Sequence, residues 1–243
     1  MVNKLKIFLG VSYILVLLIF LYFLFSQIQL ERLDDFFYYK EIQQQIKNTI
    51  GNNFYFNMVL FFVFSIIWVI LLGFGSPILI LSGIFFGKWI GTAISLLSIT
   101  LGALFLYLIA SFFFKDIITV YLEKKFSKYI KLFRKNEFYY FFAFRFVGGF
   151  GIPFGIQNVL PVLFNISKNN YFFASFLGFI PNFYIWNTIG SGINNLVEKS
   201  EEFNFINFLL SREIYLPLSM FIALIIVSFF VKRRVFYSNE SKK

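Results

Sequence analysis

The 243-residue chain contains no cysteine and no histidine. Thiol and imidazole nucleophiles are therefore absent, and carboxylates are the remaining side chains for a metal, which argues against haem, zinc or iron–sulfur chemistry. No cofactor and no metal are expected. Charge is scarce too, at 14% of residues, where soluble domains carry about a quarter. No Asp or Glu falls inside a long apolar run, the nearest being Asp116 and Glu137 at the edges. A proton relay through a buried carboxylate thus has no carrier, and no Ser–His pair or paired carboxylates serve hydrolysis. An enzyme is not expected.

Apolar surface is what the chain has instead. It is 59% hydrophobic, with 40 Phe and 14 Tyr, and its mean hydropathy is +0.76. Such a chain can face lipid and has too little polar surface to face water. The net charge of +10 fits membrane electrostatics better than nucleic acid, because the basic clusters alternate with aromatic-rich apolar runs.

Residues 7–26 form an uncharged run behind Lys4 and Lys6. It is longer than the apolar core of a cleaved leader and does not end in a small-residue cleavage site, so a retained first helix is expected. Residues 27–53 are polar and mixed in charge. Between Phe54 and Phe114 the only charge is Lys88, and three apolar segments follow one another at 54–72, 77–91 and 93–114. Residues 115–137 are strongly basic. Within them Phe126, Tyr129, Ile130 and Phe133 recur at helical spacing, as in an amphipathic helix on an anionic membrane surface. Apolar character resumes at 138–166, again at 171–193 and finally at 214–231, before Lys232-Arg233-Arg234.

Basic flanks stay on the cytoplasmic side. Both termini and the 115–137 stretch are basic, and the 27–53 and 193–213 stretches are not. One path satisfies this pattern: 7–26 exits, 93–114 returns, 171–193 exits and 214–231 returns. Segments 54–91 and 138–166 then each begin and end on one side, from outside and inside respectively. Two full crossings by 54–72 and 77–91 also satisfy parity, but 77–91 is short for a span of about 20 residues, which favours a re-entrant hairpin.

A shift of 76 positions lays Gly73-Phe74-Gly75-Ser76-Pro77 over Gly149-Phe150-Gly151-Ile152-Pro153, with four of five residues identical. It also lays Ile80 over Ile156 and Gly102 over Gly178. Similar segments of opposite orientation are the mark of an inverted repeat. Proline stops a helix and glycine permits the positive φ of a sharp reversal, so Gly73, Gly75, Pro77, Gly149, Gly151 and Pro153 are expected at two hairpin tips. Broken backbone at membrane depth must be covered by protein or line a wet cavity. Ordinary proline kinks in spanning helices are the alternative.

The expected fold is therefore an all-α polytopic membrane protein. Its two re-entrant hairpins are each followed by a transmembrane helix, between N- and C-terminal transmembrane helices. The parts are 1–53, a membrane domain 54–195 with repeats 54–114 and 138–193, and 196–243.

Arg145 is the only charge deep in 138–166. Arginine in the bilayer core costs at least ~2.5 kcal/mol, so it faces a cavity or a partner, or else snorkels to the cytoplasmic headgroups. The first reading makes it an anchor for an anionic group such as lipid phosphate. Asn158, beside Gln157, either binds the same group or satisfies backbone freed by the proline breaks. Pro161 shapes the outgoing arm. Gly83, Gly87 and Gly91 form a small-residue stripe suited to close helix packing, and Lys88 with Trp89 reads as an interfacial anchor. Asn182 and Asn187, near Pro181, lie in a helix that could border the cavity.

The stretch Phe144-Arg145-Phe146-Val147, then Gly151-Ile152-Pro153-Phe154, then Asn158-Val159-Leu160-Pro161 resembles the signature of the VTT-domain family. That family is the SNARE-associated Golgi protein branch of the DedA superfamily. Residues 170–192, with Gly178 and Pro181, resemble its next helix, and Pro77 to Gly102 resembles its opening, for a coverage of roughly 55–195. The resemblance implies a multi-pass protein of the cytoplasmic membrane in prokaryotes, or of Golgi or ER in eukaryotes. It also implies translocation of a lipid or lipid-linked phosphate. The family's arginine, proline and asparagine fall on Arg145, Pro153 and Asn158. Its first-half acidic residues and second arginine are not evident near residues 73–91 or after Arg145, so passive scrambling is expected over proton coupling. Expected partners are membrane lipids with anionic head groups, and a second copy of the chain is compatible. The rival function is a non-transporting membrane organiser that binds proteins through 115–137.

Overall fold

The computed structural model describes residues 51–71, 73–148, 152–199 and 210–232, with scattered positions before residue 51. Among the described residues the protein is all-helical. Its elements are α1 (Phe54–Ile70), α2 (Gly75–Lys135), α3 (Glu137–Phe146), α4 (Phe154–Val159), α5 (Lys168–Lys199) and α6 (Arg212–Lys232). A 3-10 turn, Leu160–Phe164, extends α4. Helix satisfies backbone polar groups within the segment, which an apolar surrounding demands. The prolines sit where a helix tolerates them or marks its start. Pro77 is in the first turn of α2, Pro153 is the N-cap of α4 and Pro161 opens the 3-10 turn, while Pro181 and Pro217 lie inside α5 and α6.

Segments 77–91 and 93–114, expected as separate, follow one another without a non-helical linker in the helical element α2, which nevertheless divides into two arms. A straight helix places residues nine apart about 13.5 Å from each other. Here Ser82 Oγ donates to the Gly91 carbonyl at 2.9 Å, because Gly87 stands at φ 73° and turns the chain back. The reversal therefore lies at Gly87, earlier than the 91–93 boundary expected from the sequence. Phe54 and Phe61 both pack edge-on against Phe86, so the arm 75–86 runs back along α1. The arm after Gly87 then runs forward past it.

The expected amphipathic helix 115–137 is instead the end of α2. Ile130 and Phe133 are buried, and Phe133 stacks on Phe164 at 4.1 Å; the side chains of Phe126 and Tyr129 lie outside the described residues. Ile130 and Phe133 face protein where lipid was expected. Asn136 separates α2 from α3, and its side chain accepts from the Tyr139 amide at 3.1 Å as an N-cap. Asn165, at φ 51°, ends the 3-10 turn. The Glu137 carboxylate then accepts from the Ser167 amide and from Asn170 Nδ2, tying the start of α5 to the start of α3.

Gly75–Phe113 is, among the described residues, the one helical stretch that meets the length and hydropathy of a membrane span, and because it turns back at Gly87 the arm after that glycine is the part able to cross. Phe54–Ile70, Phe154–Phe164 and Ile214–Val227 are shorter apolar helices. The uncharged 171–193 stretch is helical within α5, but its asparagines lower its hydropathy. Polarity is distributed inside out. Ser65, Ser82, Ser95, Ser98, Thr100, Arg145, Asn158, Ser175 and Asn187 are buried, while Val59, Leu97, Phe173, Leu177, Ile180 and Ile225 are exposed. Lipid, and not water, suits such a surface.

Close packing follows the 76-residue spacing. A β-carbon on Gly102 would meet Val69 Cβ and the Ile66 backbone, and one on Gly178 would meet Arg145 Cβ and the Phe142 backbone. Each partner pair is displaced by the same 76 positions. Against α5, the two arms of α2 run in opposite senses. Gly83 lies against the Asn187 backbone with Leu79 and Phe183 on a shared cavity wall. Beyond the reversal, Ser95 Oγ accepts from Asn187 Nδ2, while the Ala103 carbonyl meets Tyr171 Oη.

Candidate functional site

Arg145 occupies the last turn of α3 and is 0% exposed. Snorkelling would leave its guanidinium outside; the guanidinium is turned inward instead. Nε donates to Ser175 Oγ at 3.2 Å, and Nη2 donates to Asn158 Oδ1 at 2.8 Å and to Tyr171 Oη at 2.9 Å. Nη1 makes a long contact to Gln157 Oε1 at 3.5 Å. The rings of Phe141 and Phe179 each lie 4.8 Å from the guanidinium carbon, and such faces attract a cation.

All four hydrogen-bond acceptors are neutral. No carboxylate pairs with Arg145 among the described residues, so its charge is solvated by dipoles and rings alone. Five N–H groups against four acceptors also leave one N–H of Nη1 unbonded. A buried cation in this condition is stabilised strongly by any anion that can reach it.

The shell is itself braced. Tyr171 Oη has the carbonyls of Ala103 and Asn158 within 3.1 and 3.2 Å, and its ring stacks on Tyr107 at 4.5 Å. Gln157 Nε2 donates to the Ile152 carbonyl at 2.6 Å and to the Gly148 carbonyl at 3.2 Å, binding the turn between α3 and α4. Gln157 and Asn158, neighbours in α4, thus divide their work between the turn and the guanidinium. Asn158 Nδ2 has no partner among the described residues.

Beside Arg145 lies a cavity of about 240 Å³, room for roughly eight waters at liquid density. Its walls come from three places: Phe74, Gly75 and Ser76 at the first break, Gly148, Phe154 and Gln157 at the second, and Phe179, Asn182 and Trp186 of α5. The two breaks meet there, with the Phe154 ring 3.6 Å from where a β-carbon on Gly75 would stand. Asn182 Oδ1 has no partner among the described residues.

The other sequence candidates divide. Gly73 is not at positive φ; it is glycine because the Trp68 indole lies against it, donating from Nε1 to the Phe74 carbonyl at 2.8 Å. Neither is Gly75 at positive φ. Among the described residues the positive-φ glycines are Gly87 and Gly148, so the expectation that the tip glycines serve a left-handed turn is corrected at Gly73 and Gly75. Gly149 and Gly151 lie outside the described residues. Gly178 is needed where α3 touches α5, since a β-carbon there would stand 2.6 Å from Arg145 Cβ. Pro161 is buried and Pro181 is inside α5. Gly83 and Gly91 do pack closely, both against Asn187, away from Arg145, whereas Gly87 is the reversal.

Tyr171 and Ser175 were missed from sequence. The available signal was a stripe of small or polar residues, Tyr171, Ser175, Gly178 and Asn182, at helical spacing on one face of α5.

Residues 72–192 match the family model of the VTT domain. No solved structure matches the chain.

Proposed function

Because the chain belongs to the VTT-domain branch of the DedA superfamily of membrane proteins, a family associated with membrane transport, we propose that it translocates a phospholipid or lipid-linked phosphate. The head group passes between the two breaks, Arg145 pairs with its phosphate, and the acyl chains stay in lipid. One observation carries this reading: a fully buried guanidinium with no carboxylate partner among the described residues, beside a cavity walled by both breaks.

The membrane path supports it. Between Gly75 and the reversal at Gly87 are twelve residues, about 18 Å of helix. The second hairpin spans a similar depth from Phe154 to Phe164. With each reversal at an interface, both breaks fall near the middle of a hydrocarbon core about 30 Å thick. The 76-residue correspondence of packing partners and the opposed arms along α5 favour an inverted repeat, 54–114 and 138–193, within the domain 54–195. In this arrangement both termini are cytoplasmic, and the flanking parts 1–53 and 196–243 each contribute one span. Without a buried acid in the described core, passive scrambling is the mode that fits.

Reconstituted vesicles carrying a fluorescent phospholipid test the reading. Wild-type protein should equilibrate the label between leaflets. Arg145→Lys keeps the charge but loses the planar fork, and should be slower by roughly 10- to 100-fold, the worth of a charge-assisted hydrogen bond. Wild-type protein at the background rate would favour the organiser instead.

A further inference from the structure

A second lipid-facing feature lies on the outer flank of the first hairpin. A groove of about 530 Å³ runs between α1 and the arm of α2 after the reversal, lined by Met58, Val59, Phe62, Trp89, Ala93 and Leu97 among others, all apolar. Its head is chemically different. Lys88 is exposed there, the only charge between Phe54 and Phe114, with its ammonium 5.9 Å from the Trp89 ring centre.

The depth is that of a lipid leaflet. Phe54 touches Phe86, which puts Lys88 level with the start of α1, where Asn57 binds the carbonyls of Thr49 and Asn53. This polar collar marks an interface. From Trp89 to Leu97 the wall extends inward by eight residues, about 12 Å, within the ~15 Å half-thickness of a hydrocarbon core. Trp89, 69% exposed, stands at the boundary that indoles favour.

We propose that this groove is a binding site for an anionic phospholipid, with one acyl chain along Met58, Phe62 and Leu97 and the head-group phosphate on Lys88. It is separate from the Arg145 cavity and does not depend on translocation. Charge selects the occupant: a lone exposed ammonium above an apolar slot complements a lipid of net negative charge better than a neutral one, or a second copy of this basic chain.

Quenching of Trp89 by brominated lipid tests it in vesicles of unbrominated phosphatidylcholine. The Trp89 signal is the difference between wild-type protein and Trp89→Phe, and each receives small amounts of brominated phosphatidylglycerol or brominated phosphatidylcholine. The expected result is roughly fivefold preferential quenching by phosphatidylglycerol, the size of one lysine's attraction at an anionic interface, abolished in Lys88→Gln. Equal quenching by the two lipids, or a preference that survives Lys88→Gln, would overturn the proposal. So would a Trp89 shielded from both, as a second protein copy in the groove would leave it.

Discussion

Arg145 is held by hydroxyls and amides that could each be removed singly, and the consequences differ. Tyr171→Phe keeps the ring stacked on Tyr107 but deletes the acceptor for Nη2 and the donor to the Ala103 and Asn158 carbonyls. It should lower stability by about 1–3 kcal/mol, the cost of orphaned buried polar groups, seen as earlier thermal unfolding in detergent. An unchanged melting curve would mean that the shell does not hold the charge. Arg145, Gln157 and Asn158 were legible in the sequence, because a charge and adjacent amides stand out in an apolar stretch broken by prolines. Tyr171 and Ser175 were not. Serine and threonine hydroxyls in apolar helices commonly bond their own backbone, as Ser65 does to the Phe61 carbonyl and Thr188 to that of Tyr184, so Ser175 does not stand out by type, and Tyr171 is one of 14 tyrosines in an aromatic-rich chain.

At the scale of the helix, glycines do three different jobs that spacing alone cannot separate. Gly87 supplies a left-handed backbone, Gly73 makes room for an indole and Gly178 lets α3 approach α5. Gly87→Ala should cost about 1–2 kcal/mol through its positive φ, whereas Gly75→Ala, whose β-carbon meets Phe154 at an ordinary distance, should melt like wild type. Equal losses in the two would contradict the assignment of the reversal. The sequence presents Gly83, Gly87 and Gly91 as one stripe, and that is how a four-residue spacing reads. Tertiary structure assigns the middle one to a turn, with Ser82 closing on Gly91 across it. The extension of α2 to Lys135 was equally hidden, since continuous helix and a separate amphipathic helix share the same periodicity.

Across the whole molecule, helical character and the meeting of the two breaks were readable because Gly-x-Gly-x-Pro occurs twice, 76 residues apart, in chain that must keep its backbone satisfied. The proposed inverted path makes a prediction that the absence of native cysteine makes easy to check. Lys88 and Lys168 follow the two reversals and are both exposed. Lys88→Cys should react with an impermeant maleimide from outside the cell, and Lys168→Cys only once the cytoplasm is opened; reaction of both from the same side would rule the path out. The transport claim rests on the cavity between the breaks, and Gly75 reaches that cavity without bearing on the Arg145 shell. Translocation of fluorescent phospholipid by reconstituted Gly75→Leu, folded by its melting curve, is the direct measurement. A rate at the protein-free background is expected, because the leucine side chain fills the passage beside Phe154. Lipid exchange at the wild-type rate would show that head groups do not travel between the breaks.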